Sequence, residues 1–142
     1  MELRLAQPSD AADLFWLNRK FNGEDSTTRE LIENSLSNNA QEVVCVAVED
    51  GTVVGFVCGQ LFKSMCYRSH YAEITELYVR DEYRRRGIGS RLLAFIEQHF
   101  IEMGIRDFQL FTGQSNTGAQ ALYEASGYAR SDELMYRKRL RP

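Results

Sequence analysis

The chain has 142 residues, with 17 basic and 20 acidic side chains and a formal net charge of −3 at pH 7. This length favours one domain spanning residues 1–142, since a chain of about 150 residues buries about 70% of its unfolded surface without a disulfide framework. The acidic balance argues against nonspecific nucleic-acid binding, and the lack of an apolar run of roughly 20 residues argues against a membrane partner.

The cysteines indicate the redox compartment, and the histidines indicate whether a metal site is expected. The three cysteines, Cys45, Cys58 and Cys66, are an odd number in apolar or mixed surroundings, which favours a reducing compartment. The N-terminus lacks the apolar core of a signal peptide, so we expect a cytoplasmic protein. His70 and His99 lack metal-ligand spacing, so no metal site is expected.

The N-terminal part of the chain predicts one strand and two helices. Alternation over Glu2–Leu5 is typical of a strand. Apolar side chains at intervals of three and four predict an amphipathic helix from Ala11 to about Lys20. Thr27-x-x-Glu30 has the form of a capping box and opens a second helix that runs to about Leu36.

A β-hairpin is predicted next. Two apolar runs rich in β-branched residues, Val43–Val48 and Val53–Leu61, flank an Asp-Gly pair, which is the strongest short hairpin signal. Counting outward from this turn places Cys45 opposite Phe56, and this register predicts no disulfide inside the hairpin.

The C-terminal half alternates strands and helices. The predicted elements are a strand from about Tyr71 to Val79, a helix over Leu92–Ile101, a strand over Asp107–Thr112, a helix over Thr117–Ala125 and a final strand over Leu134–Leu140. This order predicts an α/β fold: a mixed sheet with antiparallel N-terminal strands, one parallel β-α-β crossover and about four flanking helices.

The most informative segment connects the third long strand to the helix after it, and reads Arg84-Arg85-Arg86-Gly87-Ile88-Gly89-Ser90. The first turn of a helix has backbone N–H groups without partners and a partial positive charge, so it binds anions readily. The two glycines allow a sharp turn and a close backbone approach, and the arginines add forked donors. A solvated basic loop is the alternative interpretation of these residues.

Two nucleotide motifs fit this segment poorly. A Walker loop needs a lysine after its second glycine, but Gly89 is followed by Ser90. A dinucleotide fingerprint needs three glycines, and this loop has two.

The arrangement Arg84-x-x-Gly87-x-Gly89, preceded by Glu76-Leu77-Tyr78-Val79, resembles the acyl-CoA-binding motif of the GNAT superfamily of N-acetyltransferases. A second segment, from Asn116 to Tyr128, is similar to the family pattern N-x-x-A-x-x-L-Y-x-x-x-G-[FY]. Both stand in the family's order, and the resemblance extends from about Val43 to Leu140. It implies a GNAT-like single domain with its CoA site at the parallel crossover.

The resemblance also implies the reaction, which is transfer of an acetyl group from acetyl-CoA to a primary amine without a metal. An alkyl ammonium with a pKa near 10.4 is neutral in only about one molecule in a thousand at pH 7, so a base or a desolvating site is needed. The departing thiolate needs a proton source. An idle acyl-CoA sensor or scaffold, and a general phosphate or nucleotide module, are the competing functions.

Glu73 and Glu76 are the candidate bases, and Tyr123 is the candidate acid. Residues three apart on a strand should project from opposite faces, so only one glutamate is expected to face the amine. In GNAT members that act on histones, the position of the base corresponds to Glu73 of this chain. In members that act on small amines, it corresponds to Glu76, which we favour. Solvated or paired glutamates and a packing tyrosine are the alternatives.

The resemblance implies CoA contacts from the strand, the loop and the short helix. Main-chain groups of Leu77 and Val79 should run beside pantetheine, and the loop amides should hold pyrophosphate. The candidate CoA-binding residues are Leu77, Tyr78, Val79, Arg84, Arg85, Arg86, Gly87, Ile88, Gly89, Ser90, Asn116, Ala119 and Tyr123.

The sequence leaves the amine acceptor open. Small molecules such as aminoglycosides, polyamines or amino acids, and proteins or peptides, all fit a primary amine. The acidic balance favours a cationic acceptor. The resemblance also leaves the oligomeric state open, and a homodimer is one of the states that it allows.

Overall fold

A computed structural model describes residues 1–142 and contains five strands and four α-helices. The strands are β1 (Glu2–Leu5), β2 (Glu42–Glu49), β3 (Thr52–Phe62), β4 (Tyr71–Val79) and β5 (Phe108–Leu110). The helices are α1 (Ala11–Asn22), α2 (Arg29–Asn38), α3 (Ile88–Glu102) and α4 (Thr117–Ala125). None of these helices combines the length and apolar character needed to cross a membrane.

The sheet has the strand order β1-β2-β3-β4-β5, which confirms the predicted mixed α/β fold. The first four strands pair antiparallel, and β4 pairs parallel with β5. This parallel pairing extends only from Ala72, opposite Phe108, to Ile74, opposite Leu110. The rest of β4, from Thr75 to Val79, therefore has one edge without a neighbouring strand.

The hairpin is formed as predicted, but its register is shifted by a β-bulge. Val54 is an extra residue on β3, so Cys45 lies opposite Val57, and the predicted pairing with Phe56 is wrong. Cys45 packs beneath α3, whereas Cys58 packs on the other face of the sheet beside α1. Both are free thiols whose side chains the sheet separates.

Two hydrophobic cores cover the two faces of the sheet. The larger core packs α3 on one face and includes Leu92, Ile96 and Phe100, all fully buried. A Cβ atom at Gly59 would lie 2.7 Å from Cε2 of Phe100, so glycine at this position lets α3 approach the sheet closely. The smaller core packs α1 on the other face, around Leu17. The open part of β4 is thus held between two fixed layers.

The predicted final strand over Leu134–Leu140 is not formed. All residues from 129 to 142 are exposed and lack regular secondary structure. A strand needs a neighbour for its backbone hydrogen bonds, and this segment pairs with no strand of its own chain. The predicted strand over Asp107–Thr112 is shorter, at Phe108–Leu110. It pairs with β4 on one side, and its outer edge has no neighbouring strand.

Candidate active site

The basic loop turns sharply from β4 into α3. Arg85 and Gly87 both have positive φ angles, of 63° and 75°, and Gly87 is the N-cap of the helix. The N–H of Arg91 donates to the carbonyl of Gly87 at 3.1 Å. The amides of Ile88–Ser90 precede this first helical bond, so they have no partner within the helix. The turn therefore leaves these amides free at the start of the helix, which is the geometry that anion binding would need.

Arg84 braces the junction between β4 and this loop. Its Nε donates to the carbonyl of Val79 at 3.0 Å, and its guanidinium lies 3.0 Å from a carboxylate oxygen of Asp81. Its guanidinium carbon also lies 5.4 Å from the centre of the Tyr78 ring. These contacts engage Arg84 with its own chain and fix how the loop leaves the strand.

The next two arginines are available for an external anion. Neither Arg85 nor Arg86 forms an ion pair with a carboxylate, whereas neighbouring Arg80 is paired with Glu82 at 2.8 Å. The guanidinium carbon of Arg86 lies 5.0 Å from the centre of the Tyr83 ring, which supports the side chain without neutralising it. Two uncompensated cations thus flank the free helix amides.

The two motif segments, distant in sequence, are adjacent in space. A Cβ atom at Gly89 of the loop would lie 3.7 Å from Cδ2 of Leu122 on α4. Asn116 caps α4, because its side chain accepts a hydrogen bond from the N–H of Ala119 at 3.2 Å. The loop and α4 therefore close one end of the space beside the open edge of Thr75–Val79.

Glu73 and Glu76 project from the same face of the sheet, so the expectation of opposite faces is wrong. Adjacent residues of β3 pair with Ile74 and Glu76, which leaves Thr75 as an extra residue in a β-bulge. Ile74 belongs to the core beneath α3, and Leu77 packs against the same core. The bulge inverts the alternation between them, and both glutamates face away from α3.

The surroundings of the two glutamates nevertheless differ. Gln109 of β5 donates a hydrogen bond from Nε2 to Oε1 of Glu73 at 2.8 Å, at the exposed end of the sheet. Glu76 is half-buried and forms no ion pair. Burial raises the pKa of Glu76, a hydrogen bond with Asn22 partly offsets this, and the nearby Glu42 carboxylate raises the pKa further.

Glu76 lines a cavity of about 220 Å³ between the sheet and the first two helices. The lining is mainly apolar and contains no lysine, arginine or histidine. Its residues are Leu14, Asn18, Thr27, Leu31, Ile32, Ser35, Leu36, Glu42, Val44, Phe56, Cys58 and Glu76. The cavity thus holds two carboxylates, those of Glu42 and Glu76, without a cationic partner.

Tyr123 is half-buried on α4. Burial raises its pKa, and the Glu76 carboxylate raises it further, so the phenol keeps its proton at neutral pH. Its ring centre lies 6.2 Å from that of Tyr128, whose hydroxyl donates to Oε2 of Glu97 at 2.6 Å. Tyr123 can therefore donate a proton or a hydrogen bond, and it also packs against the core beneath α3.

The sequence is similar to known proteins over most of its length. A model described as the acetyltransferase (GNAT) family matches residues 9–128. The chain belongs to the GNAT acetyltransferase family. An acetyltransferase of Yersinia pestis (strain Pestoides F) is 30% identical over 146 residues, which cover 99% of this chain and 96% of the relative. The uncharacterized N-acetyltransferase YhfO of Bacillus subtilis (strain 168) is 32% identical over 136 residues, which cover 90% and 89%.

Solved GNAT structures share the fold at lower identity. The structure of AAC(6')-Iy in complex with the bisubstrate analog CoA-S-monomethyl-acetylneamine has a TM-score of 0.83 and 21% identity to this GNAT chain, and covers 98% of each chain. The resemblance inferred from the two sequence motifs is thus confirmed at the level of family and fold.

Glu42 is the charged residue in the lining of the Glu76 cavity that the sequence analysis did not single out. It begins β2, a strand whose other side chains on the same face, Val44 and Val46, are apolar and pack against α1. A glutamate that alternates in step with apolar residues of a strand is a signal, visible in the sequence, of a carboxylate on the inner face of the sheet. Its proximity to Glu76 depends on the order of three strands, which no local pattern gives.

Proposed function

We propose that this GNAT chain transfers an acetyl group from acetyl-CoA to a primary amine that lies in the cavity at Glu76. The observation that carries the proposal is a half-buried carboxylate without a counter-ion, facing a cavity beside the open edge of β4. Such a group can accept a proton from an ammonium ion, and its raised pKa brings it closer to neutral pH, where a general base is most effective.

The cosubstrate would lie in the opening between β4 and α4. The edge of Thr75–Val79 can pair with the amide groups of pantetheine as an added strand would. Arg85, Arg86 and the free amides of the α3 turn would hold the pyrophosphate. A CoA-derived analogue in the AAC(6')-Iy structure supports a CoA site in this fold.

The chemistry then needs three proton transfers at the reacting groups. Glu76, directly or through a water molecule, takes a proton from the ammonium, and the neutral amine attacks the thioester carbonyl. The new C–N bond forms as the C–S bond breaks. Tyr123 gives its proton to the departing thiolate, and its raised pKa keeps the phenol protonated until that step. The acetylated nitrogen still carries two protons, and it loses one of them to the Tyr123 phenolate, which leaves a neutral amide. Glu76 releases its proton to solvent.

Two measurements test this function. Calorimetry with coenzyme A, acetyl-CoA and ATP should show binding of both CoA compounds and a weaker interaction with ATP. Thiol release from acetyl-CoA should then rise above background when primary amines are added. A preference for ATP would refute the CoA site. Tight acetyl-CoA binding with no amine-dependent release would favour the sensor function instead.

We also propose that the chain forms a homodimer through its exposed C-terminal segment. Leu134, Tyr136 and Leu140 are 77%, 88% and 80% exposed, and β5 has an unpaired edge. An apolar alternating segment and a free edge favour strand pairing between two copies. Sedimentation analysis should give a dimer that Tyr136→Asp dissociates, whereas a monomeric wild-type protein would contradict this proposal.

A further inference from the structure

The Glu76 cavity contains a second carboxylate for which the proposed reaction has no use. Oε1 of Glu42 accepts a hydrogen bond from the Ser35 hydroxyl at 3.4 Å, and Oε2 accepts one from Nε2 of Gln60 at 3.4 Å. Both donors are neutral and both bonds are long. Glu42, like Glu76, takes part in no ion pair.

Two carboxylates in one mainly apolar cavity carry an electrostatic cost. A half-buried charge without a partner is unfavourable, and like charges that share a site repel each other. Burial raises the pKa of Glu42, and the two weak hydrogen bonds only partly offset this effect. The cavity has no lysine, arginine or histidine in its lining, so a cationic ligand would supply the compensation that the protein lacks there.

The positions of the two glutamates in the sheet set the spacing of that ligand's charges. Glu42 lies opposite Gln60 on β3, and Glu76 lies opposite Cys58 on the same strand. They are thus two strands apart across the sheet and two residues apart along it. Standard strand spacings place their Cα atoms about 12 Å apart. Two ammonium groups roughly 8–12 Å apart could contact both carboxylates, allowing for the reach of the side chains.

The wall between the two carboxylates is apolar. Val44 and Cys58 line the cavity on this path, and Phe56 lines it just beyond. Besides the two glutamates, the rest of the lining consists of four apolar residues and three uncharged polar ones. Methylene groups are favoured against such a wall, whereas the hydroxyl groups of a sugar ring would lose their hydrogen bonds to water there. The lining therefore favours an alkyl linker.

We propose that Glu42 is a specificity-determining residue that binds the second ammonium group of a linear alkyl diamine or polyamine, while the amine to be acetylated lies at Glu76. This inference rests on the proposed acetyl transfer for its choice of acceptor site. The geometry that carries it is a single cavity with a carboxylate at each end and an apolar wall between them.

Calorimetry tests the inference without relying on turnover. With coenzyme A bound, the wild-type protein should bind 1,8-diaminooctane at least about tenfold more tightly than octylamine, since each charge-assisted hydrogen bond contributes on the order of a tenfold change. Glu42→Gln should remove this preference and leave octylamine binding unchanged. Glu33→Gln, an equal charge change on the exposed surface of α2, is the matched control and should keep the preference.

Equal affinities of the wild-type protein for the diamine and the monoamine would overturn the proposal, and so would an equal loss for both ligands in Glu42→Gln. An amino sugar with two amines serves as the competing class, and tighter binding of it than of the diamine would refute the alkyl linker. In turnover assays, Glu42→Gln should raise KM for the diamine with kcat unchanged. Failure of all amines to be acetylated would refute the proposed function, while the binding preference would still decide the role of Glu42.

Discussion

Replacing Glu76 with glutamine should remove the proton acceptor of the proposed reaction while keeping the shape of the side chain. A positioned general base typically contributes 10²–10⁴-fold to rate. Glu76 faces the cavity without a cationic partner, and its raised pKa makes it a stronger acceptor than an exposed glutamate. We therefore expect Glu76→Gln to lower kcat/KM for a primary amine by about 10²–10⁴-fold at pH 7.

The pH profile distinguishes a lost base from general damage. Glu76 accepts a proton only when it is ionised, so kcat/KM of the wild-type enzyme should fall as pH falls through its raised pKa. Glu76→Gln should lose this acidic limb, and its remaining rate should rise towards high pH as more of the amine becomes neutral. The assay is amine-dependent thiol release from acetyl-CoA between about pH 5 and pH 9.

Glu73→Gln is the matched control, because Glu73 lies on the same strand and face but is hydrogen-bonded to Gln109 at the exposed end of the sheet. It should keep the wild-type profile within about threefold, which is small beside the effect of a lost base. An unchanged profile in Glu76→Gln, or the same loss in Glu73→Gln, would refute the assignment of the base to Glu76.

Three further changes test the packing, the cavity charge and the loop. Gly59→Ala should lower the free energy of unfolding by about 1–3 kcal/mol in denaturant titrations, because the added Cβ atom would lie 2.7 Å from the Phe100 ring. Gly113→Ala is the control, and it should be nearly neutral because there is open space around the added Cβ atom. Folding raises the pKa of Glu42, so the folded protein loses stability as pH rises through that pKa and the carboxyl ionises. Glu42→Gln should therefore raise Tm by about 1–3 °C at neutral pH. Near pH 4, where the wild-type carboxyl is protonated, the variant should lose this advantage. Arg86→Ala should raise KM for acetyl-CoA about 5- to 10-fold without changing kcat, if its guanidinium binds pyrophosphate in the substrate and transition-state complexes alike.

The elements with strong local signals are the ones that the sequence predicts well. Thr117–Ala125 forms a helix with the predicted bounds, because Asn116 caps it and a glycine follows it. The strand Tyr71–Val79 is also confirmed. The two motif segments are expected to contribute to one site because their order and spacing resemble those of one family, and the fold places them side by side.

The β-bulges, by contrast, leave no local signal in the sequence. Thr75 and Val54 are ordinary strand residues, and nothing near them indicates that either is the extra residue in its pair. The bulge at Thr75 depends on the registers of β3 and β4, and it decides that Glu73 and Glu76 share a face. The pairing register of β4 with β3, rather than the composition of either strand, thus sets the geometry of the candidate site.

The final strand shows a different limit of sequence patterns. Leu134–Leu140 has strand-forming side chains, yet a strand forms only where a neighbour can take its backbone hydrogen bonds. Within one chain the segment has no such neighbour, so it is exposed. Glu42 was missed for a related reason, since its partner in the cavity lies two strands away.

The most direct test of the acetyl transfer is mass spectrometry of the amine after incubation with acetyl-CoA and the protein. The wild-type protein should convert the amine to its N-acetyl derivative with release of one coenzyme A for each product, and Glu76→Gln should do so at least about a hundredfold more slowly. Binding of acetyl-CoA without any N-acetylated product, across alkyl diamines, monoamines, amino sugars and peptides, would contradict the proposed function.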